Sequence, residues 1–206
     1  MSIKIRKASS DDTDFLAQMI LQSSRAGKPI GVFDLIFKDS DKDTLTNIKS
    51  LVITKAKNNC HFNNFLIAEI DGEKVGTLCS YEPRIATRET FFEALKEIGC
   101  EKESQDYLEI LNQCDFKLNN RTLIFDFMEE LEGFSDVGIL KDLMIKSLLT
   151  ARLKGYRIAQ TIVEIGSLEA LLFYKKLGFK EVSEIECDLY REKFGRPGLV
   201  LLAIEF

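Results

Sequence analysis

Apolar positions along this chain switch repeatedly between a period of two and a period of three to four. Ile3 and Ile5 alternate with basic residues as in a short strand, and Ser9-Ser10-Asp11-Asp12 then offers capping side chains ahead of Phe15, Leu16, Met19 and Ile20 at helical spacing. Gly27 and Pro29 break that helix, Val32 to Phe37 is an apolar patch, and Leu45, Ile48, Leu51, Val52 and Lys55 predict a second amphipathic helix that ends before Asn58-Asn59. Phe65 to Ile70 and Val75 to Ser80 are β-prone runs joined around Asp71-Gly72, where glycine can take the positive φ of a tight hairpin.

From Pro83 the pattern is helical again, with Phe91, Phe92, Leu95 and Ile98 on one side, Gly99 as a stop, and a weaker segment from Ser104 to Leu111. The simplest account is a helical insertion over 83–118. Thr122 to Glu130 predicts a strand with Leu123, Phe125 and Phe127 on one face, followed by a loop from Gly133 to Gly138. A long helix then runs to about Lys154, with Leu140, Leu143, Met144, Leu148 and Ala151 at three- and four-residue intervals and Gly155 placed to end it. Ile158 to Ile165 predicts another strand, Leu168 to Leu177 a short helix stopped at Gly178, and Leu199 to Ile204 an apolar strand.

With 206 residues and 45% hydrophobic content, the chain suits one domain over 1–206 with one core. A net charge of -5 without a dense basic run argues against nucleic acid as principal partner, and a cationic or neutral small substrate fits better. The five cysteines (Cys60, Cys79, Cys100, Cys114 and Cys187) are widely spaced, with no CxxC pair. They suggest neither a disulfide framework nor a zinc site, and read as small apolar residues in a reducing compartment. The N-terminus lacks a signal-like apolar core and no run approaches a membrane span, so the expectation is a cytoplasmic protein with no membrane partner. The single histidine, His61, has no spaced carboxylate or serine and reads as a surface or packing residue.

The chemistry lies in the order of parts after Thr122: strand, loop with Gly138, amphipathic helix, Gly155-Tyr156, strand, Ser167, short helix, then Phe173-Tyr174-Lys175-Lys176-Leu177-Gly178-Phe179. Tyr174 to Phe179, a tyrosine and two polar residues followed by Leu-Gly-Phe, resembles the segment found in the GNAT superfamily of N-acetyltransferases. The resemblance extends in register over about 123–182. It implies a mixed α/β (α+β) fold: a central, mostly antiparallel sheet with one splayed parallel strand pair and helices on both faces. It also implies transfer of an acetyl group from acetyl-CoA to a primary amine, small-molecule or peptide, with no metal and in a monomer or homodimer. The alternative is a non-catalytic acyl-CoA-binding or interaction domain that kept the fold.

In such a protein the loop feeding the long helix holds a pyrophosphate with backbone N–H groups, here those of Val137, Gly138, Ile139 and Leu140. The family usually has arginine or glutamine at the position of Ser135 and glycine or alanine at that of Leu140; Gly138 alone is kept. Ser135 or Asp136 capping the helix is the competing reading of this loop. By resemblance, the strand at 122–130 splays from that at 158–165, and backbone groups near Met128 and Glu130 meet the pantetheine. Asp126 is the first candidate for the base that receives the amine proton, with Glu129 and Glu130 as reserves. Tyr174 is the candidate acid for the leaving thiolate, and Ser167 and Phe173 are assigned to cofactor contact. Tyr81, Glu82 and Arg84 either meet the acceptor or form an ordinary polar turn. Acidic residues of the insertion (Glu101, Glu103, Asp106, Glu109 and Asp115) either favour a cationic acceptor or form a solvated helix face.

Overall fold

The computed structural model describes residues 2–38, 41–101, 105–135 and 137–206. Its strands are β1 (Ile3–Lys7), β2 (Phe65–Ile70), β3 (Glu73–Tyr81), β4 (Leu123–Glu130), β5 (Ile158–Glu164), β6 (Lys180–Glu186) and β7 (Gly198–Glu205). They form one sheet in the order β1-β2-β3-β4-β5-β7-β6. Every pairing is antiparallel except β4 with β5. The helices are α1 (Thr13–Arg25), α2 (Val32–Phe37), α3 (Asp41–Val52), α4 (Arg88–Glu97), α5 (Gln105–Cys114), α6 (Ile139–Leu153), α7 (Leu168–Lys176) and α8 (Asp188–Phe194).

The sheet separates two cores because successive strand side chains leave it on opposite faces. On one face, Leu16 and Ile20 of α1, Phe33 of α2, Ile48 of α3 and Leu95 of α4 pack on Phe65, Ile67 and Cys79. On the other, Leu143 and Met144 of α6 and Tyr174 of α7 pack on Leu78, Leu123, Phe125, Ala159 and Leu202. The hairpin turn has both Asp71 (φ 52) and Gly72 (φ 87) left-handed, which matches the twist of its flanking strands. Val32 to Phe37, an apolar patch in the sequence, is a short helix because Asp34 returns its carboxylate to the Gly31 N–H at 2.8 Å. The insertion forms α4 and α5; Ser104 and Glu103, along with the proposed cap residue Asp136, lie outside the described residues.

Two sequence expectations are corrected. Phe127 does not share a face with Leu123 and Phe125 but packs in the opposite core, beside Phe33 and Phe65. The cause is a β-bulge: β3 pairs Thr77 with Glu129 and Cys79 with Asp126, so three steps on β4 match two on β3. Phe127 takes up the extra residue in a left-handed conformation, φ 42. Second, Cys114 and Cys187 are joined in a disulfide, with Cα atoms 5.8 Å apart, across a sequence separation of 73. Packing of α5 against α8 through Ile110, Tyr190 and Phe194 brings them together, which linear spacing does not reveal. Cys60, Cys79 and Cys100 remain thiols. Cysteine usage therefore gives no support to a reducing compartment. Among the described residues, no helix is long and apolar enough to cross a membrane.

Candidate active site

The parallel ladder between β4 and β5 is short: Leu123 pairs with Ala159, Ile124 with Gln160 and Phe125 with Thr161, and there it ends. Beyond that point β4 continues to Glu130 along β3, while β5 continues to Glu164 along β7. A bulge bends its strand and raises the local twist, so the bulge at Phe127 carries β4 away from β5 and opens a wedge. The Leu131 N–H donates to the Val75 carbonyl at 2.8 Å. By the alternation of an antiparallel ladder, the backbone groups of Met128 and Glu130 then face the wedge.

Two polar side chains meet the apex of this wedge from opposite faces of the sheet. Asp126 is the first residue of β4 past the ladder and stands on the Cys79 face. Its Oδ1 accepts the Phe127 N–H, a donor that the bulge frees from the ladder, at 2.8 Å, and the Asn59 side chain also hydrogen-bonds to it. Among the described residues it has no cationic partner, and burial pushes its carboxyl up to about 6. Its charge is near enough to push up the Cys60 and Cys79 thiols and the Tyr81 and Tyr107 phenols, whose main shift comes from burial. Tyr174 on α7 is 4% exposed, with its ring edge-on to Phe173 at 5.6 Å and Phe179 at 5.2 Å. Its hydroxyl is hydrogen-bonded to Thr161, the last residue of β5 that pairs with β4. Burial pushes the phenol up to about 12, so it keeps its proton at neutral pH and remains a donor.

At the wide end of the wedge, Gly138 takes φ 86 and caps α6, and its carbonyl accepts the Asp142 N–H at 3.1 Å. The Val137 N–H is not available to a ligand, because it closes a turn onto the Phe134 carbonyl at 3.0 Å. That corrects the expected set by one residue. Among the described residues, no acceptor engages the N–H groups of Gly138, Ile139, Leu140 and Lys141, which together form the start of a helix. No side chain of a described residue caps this helix, so Ser135 does not act as its cap. Close packing fixes the helix start: a Cβ at Gly76 of β3 would fall 2.8 Å from Cγ2 of Ile139.

Glu130 and Glu129 form a polar rim along β4. Gln22 of α1 donates to the Glu130 carbonyl at 3.1 Å, and Glu129 Oε1 accepts the Glu130 N–H at 3.3 Å. Burial pushes the Glu129 carboxyl up. Ser167 precedes α7, donates its N–H to the Glu164 carbonyl at 3.1 Å, and makes no side-chain cap bond. At the end of β5, the Glu164 carboxylate accepts from the Tyr190 hydroxyl at 2.8 Å and is paired with Lys28 and with Arg196. Lys28 thereby bridges the α1–α2 loop to β5 on the Asp126 side of the sheet.

Other candidates fall away from the wedge. His61 is buried, stacked on Phe62 at 4.5 Å, and accepts the Asn63 N–H, with burial holding its imidazole down to about 4. Arg84 pairs with Glu82 at 2.5 Å, beyond the end of β3 that meets the start of β4. In the insertion, Asp106 pairs with Lys38 at 2.7 Å, Asp115 with Arg88 at 3.0 Å, and Glu109 accepts from Gln113 at 3.3 Å. Thr161, Asn59 and Gln22 contribute to the site without having stood out in the sequence. Only Thr161 had a signal, as a hydroxyl in the middle of an apolar strand.

No protein-family model and no curated protein matches the sequence. Solved structures do match over almost the whole chain. An N-acetyltransferase from Staphylococcus aureus Mu50 superposes with a TM-score of 0.70 at 17% identity, covering 98% of this chain and 100% of the other. A ribosomal-protein-alanine N-acetyltransferase from Brucella melitensis gives 0.61 at 16%, covering 98% and 99%. A GNAT-family acetyltransferase from Staphylococcus aureus Mu50 gives 0.56 at 16%, covering 99% of both chains. With its single parallel strand pair splayed at a bulge, and with these neighbours across its full length, the chain has the fold of the GNAT superfamily of acetyltransferases.

Proposed function

We propose that this protein is an N-acetyltransferase that moves an acetyl group from acetyl-CoA to a primary amine. The observation that carries the reading is that Asp126 and the Tyr174–Thr161 pair flank, from opposite faces, the point where the β4–β5 ladder stops. The residues present fit the donor substrate. Its pyrophosphate suits the N–H groups from Gly138 to Lys141, which no described residue engages. Its pantetheine arm suits the backbone edge at Met128 and the Glu130 carbonyl, which can accept a second bond beside that from Gln22, while the Glu130 N–H is taken by Glu129. Ser167, which precedes α7, and Phe173 within it are the cofactor contacts we propose from the β5 side.

When bound, the thioester supplies an activated acetyl carbon. The amine approaches from the Asp126 face, and a carboxyl near 6 is ionised at neutral pH while still basic enough to take the proton released as the C–N bond forms. On the other face the Tyr174 hydroxyl, protonated and oriented by Thr161, delivers a proton to the sulfur as the C–S bond breaks. The two groups stand on opposite faces of the sheet, and the Asp126 charge adds to the burial that keeps the proton on Tyr174.

Isothermal titration with acetyl-CoA, followed by release of free coenzyme A thiol in the presence of a panel of primary amines, tests the proposal. Micromolar binding and amine-dependent thiol release are expected. Absence of binding at high micromolar acetyl-CoA refutes it. Binding with neither hydrolysis nor transfer identifies a non-catalytic acyl-CoA-binding domain instead.

A further inference from the structure

We propose that the chain carries a second ligand site, remote from the β4–β5 wedge, for a small organic carboxylate with a compact apolar body. Between the second half of α6 and the neighbouring ends of β1, β2 and β3 lies a cavity of about 330 Å³. It touches β4 only at Leu123, the first residue of that strand, whereas the wedge begins after Phe125 and extends toward Glu130. At about 3.3 Å per residue, the cavity and the wide end of the wedge lie roughly 20 Å apart along the strand.

The cavity has two unlike halves. Ile5, Leu66, Leu123 and Ala151 supply buried and half-buried apolar surface, while the exposed side chains of Lys7, Lys146 and Lys154 stand around them. Their charge is only partly offset: Lys154 lies near enough to the Glu82 carboxylate to help hold it down, beyond ion-pair distance. Among the described residues none of the three lysines has a carboxylate within ion-pair distance, and Lys146 donates instead to the Ile5 carbonyl at 2.7 Å. Among the described residues Glu82 is the one carboxylate lining the cavity, and its bonds go to the Tyr156 hydroxyl and to Arg84, with Lys154 as a more distant countercharge. Arg6, also at the wall, is committed to Asp12 at 2.7 Å and Glu69 at 2.6 Å. A positive mouth thus opens on a chain whose net charge is -5.

A second observation points to a missing partner. Ser147 lies in the cavity wall, is 4% exposed, and among the described residues its hydroxyl has no hydrogen-bond partner. The neighbouring Thr150 hydroxyl, one turn on, is satisfied by the Lys146 carbonyl at 2.8 Å. Buried hydroxyls are nearly always paired, so an orphan beside an open volume marks where an acceptor oxygen belongs. A carboxylate meets both demands, accepting the hydrogen bond of the Ser147 hydroxyl with one oxygen and facing the lysines with the other. The volume lies at the small end of ligand pockets, about 300 to 1,000 Å³, which suits one ring or a short branched chain and leaves no space for a nucleotide.

Titration of the full chain with benzoate, benzamide and benzylamine, followed by calorimetry and by chemical-shift changes, tests the assignment without reference to acetyl transfer. Benzoate is expected to bind, benzamide about tenfold more weakly for want of charge, and benzylamine not at all. Ser147→Leu, which fills the cavity, is expected to abolish benzoate binding. The double variant Lys7→Gln and Lys154→Gln is expected to weaken it about tenfold and flatten its salt dependence. Both variants should still unfold cooperatively and still bind acetyl-CoA. Equal affinity for benzoate and benzamide, binding that survives Ser147→Leu, or no benzoate binding in the millimolar range would each overturn the proposal.

Discussion

Asparagine in place of Asp126 removes a buried charge while leaving an oxygen to accept the Phe127 N–H, so it separates the cost of the carboxylate from its structural role. In the folded protein burial lifts this carboxyl from the ordinary 3.8 to about 6. The fold therefore favours the protonated form. Stability linked to this group is fully present below about pH 4 and is lost as the pH rises through about 6, since the native state then holds an ionised group in a poorly solvated place. At 1.36 kcal/mol per pH unit, the displacement corresponds to about 3 kcal/mol at most. Asp126→Asn should accordingly be more stable than wild type by up to about 3 kcal/mol near pH 8, a rise in Tm of up to roughly 6–12 °C for a chain of this length. The two proteins should converge near pH 4. Urea unfolding at one-unit pH intervals measures the difference directly and needs no acceptor. A stability difference that is flat across this range, or a variant less stable than wild type at pH 8, refutes the account of Asp126. In the wild type, transfer should fall about tenfold per pH unit below about pH 6, as the base becomes protonated, and the variant should lose about 10²- to 10⁴-fold.

Tyr174→Phe keeps the ring packing against Phe173 and Phe179 but removes the hydroxyl bonded to Thr161. It should lower kcat by about 10²-fold or more while costing only about 1 kcal/mol of stability, and unchanged turnover would show that another donor serves the sulfur. Reducing the Cys114–Cys187 disulfide opens a loop with a sequence separation of 73, worth about 4 kcal/mol in the chain-entropy account, so dithiothreitol or a Cys114→Ser, Cys187→Ser double variant should lower the urea midpoint markedly. Identical midpoints with and without reductant would contradict the cross-link. Gly76→Val places a methyl-bearing carbon against Ile139 Cγ2 at 2.8 Å and the Glu129 carbonyl oxygen at 3.1 Å. It should cost about 1–3 kcal/mol and weaken acetyl-CoA binding by shifting the start of α6, which calorimetry would detect; an unchanged Kd would detach the helix start from the donor site.

Elements with a clear apolar period were legible. The hairpin at Asp71-Gly72, the helix stops at Gly99, Gly155 and Gly178, and the strand–helix order after Leu123 follow from patterning and from the left-handed freedom of glycine. β6 was not legible, because it lies at the sheet edge with all but Ile185 exposed and offers no alternation to read. α8 was missed because its buried residues, Tyr190 and Phe194, sit in a short polar segment whose partner surface comes from α5. Asp126 and Tyr174 were singled out through the resemblance in register with Gly138 and Leu177-Gly178-Phe179, whereas the burial around them and the partners they touch were not legible. Period-two counting placed Phe127 with Leu123 and Phe125, and a bulge leaves no mark on such a count when an ordinary phenylalanine, not a glycine, occupies the left-handed position. The disulfide and the orphan hydroxyl of Ser147 are likewise products of tertiary contact.

The bulge makes β4 a strand with divided loyalty. Leu123 and Phe125 belong to the α6–α7 core, Phe127 belongs to the α1–α4 core, and Asp126 stands at the crossover. A strand of regular pleat could hold its chain direction or change its inner face, but not both within consecutive residues. One supernumerary residue lets the same backbone act as a structural rib for half its length and as an open edge on the wedge for the other half. Deleting Phe127 would therefore do more than empty a hydrophobic seat: it would put β4 back in phase with β3, send Met128 and Glu130 to the wrong side, and close the wedge by straightening it.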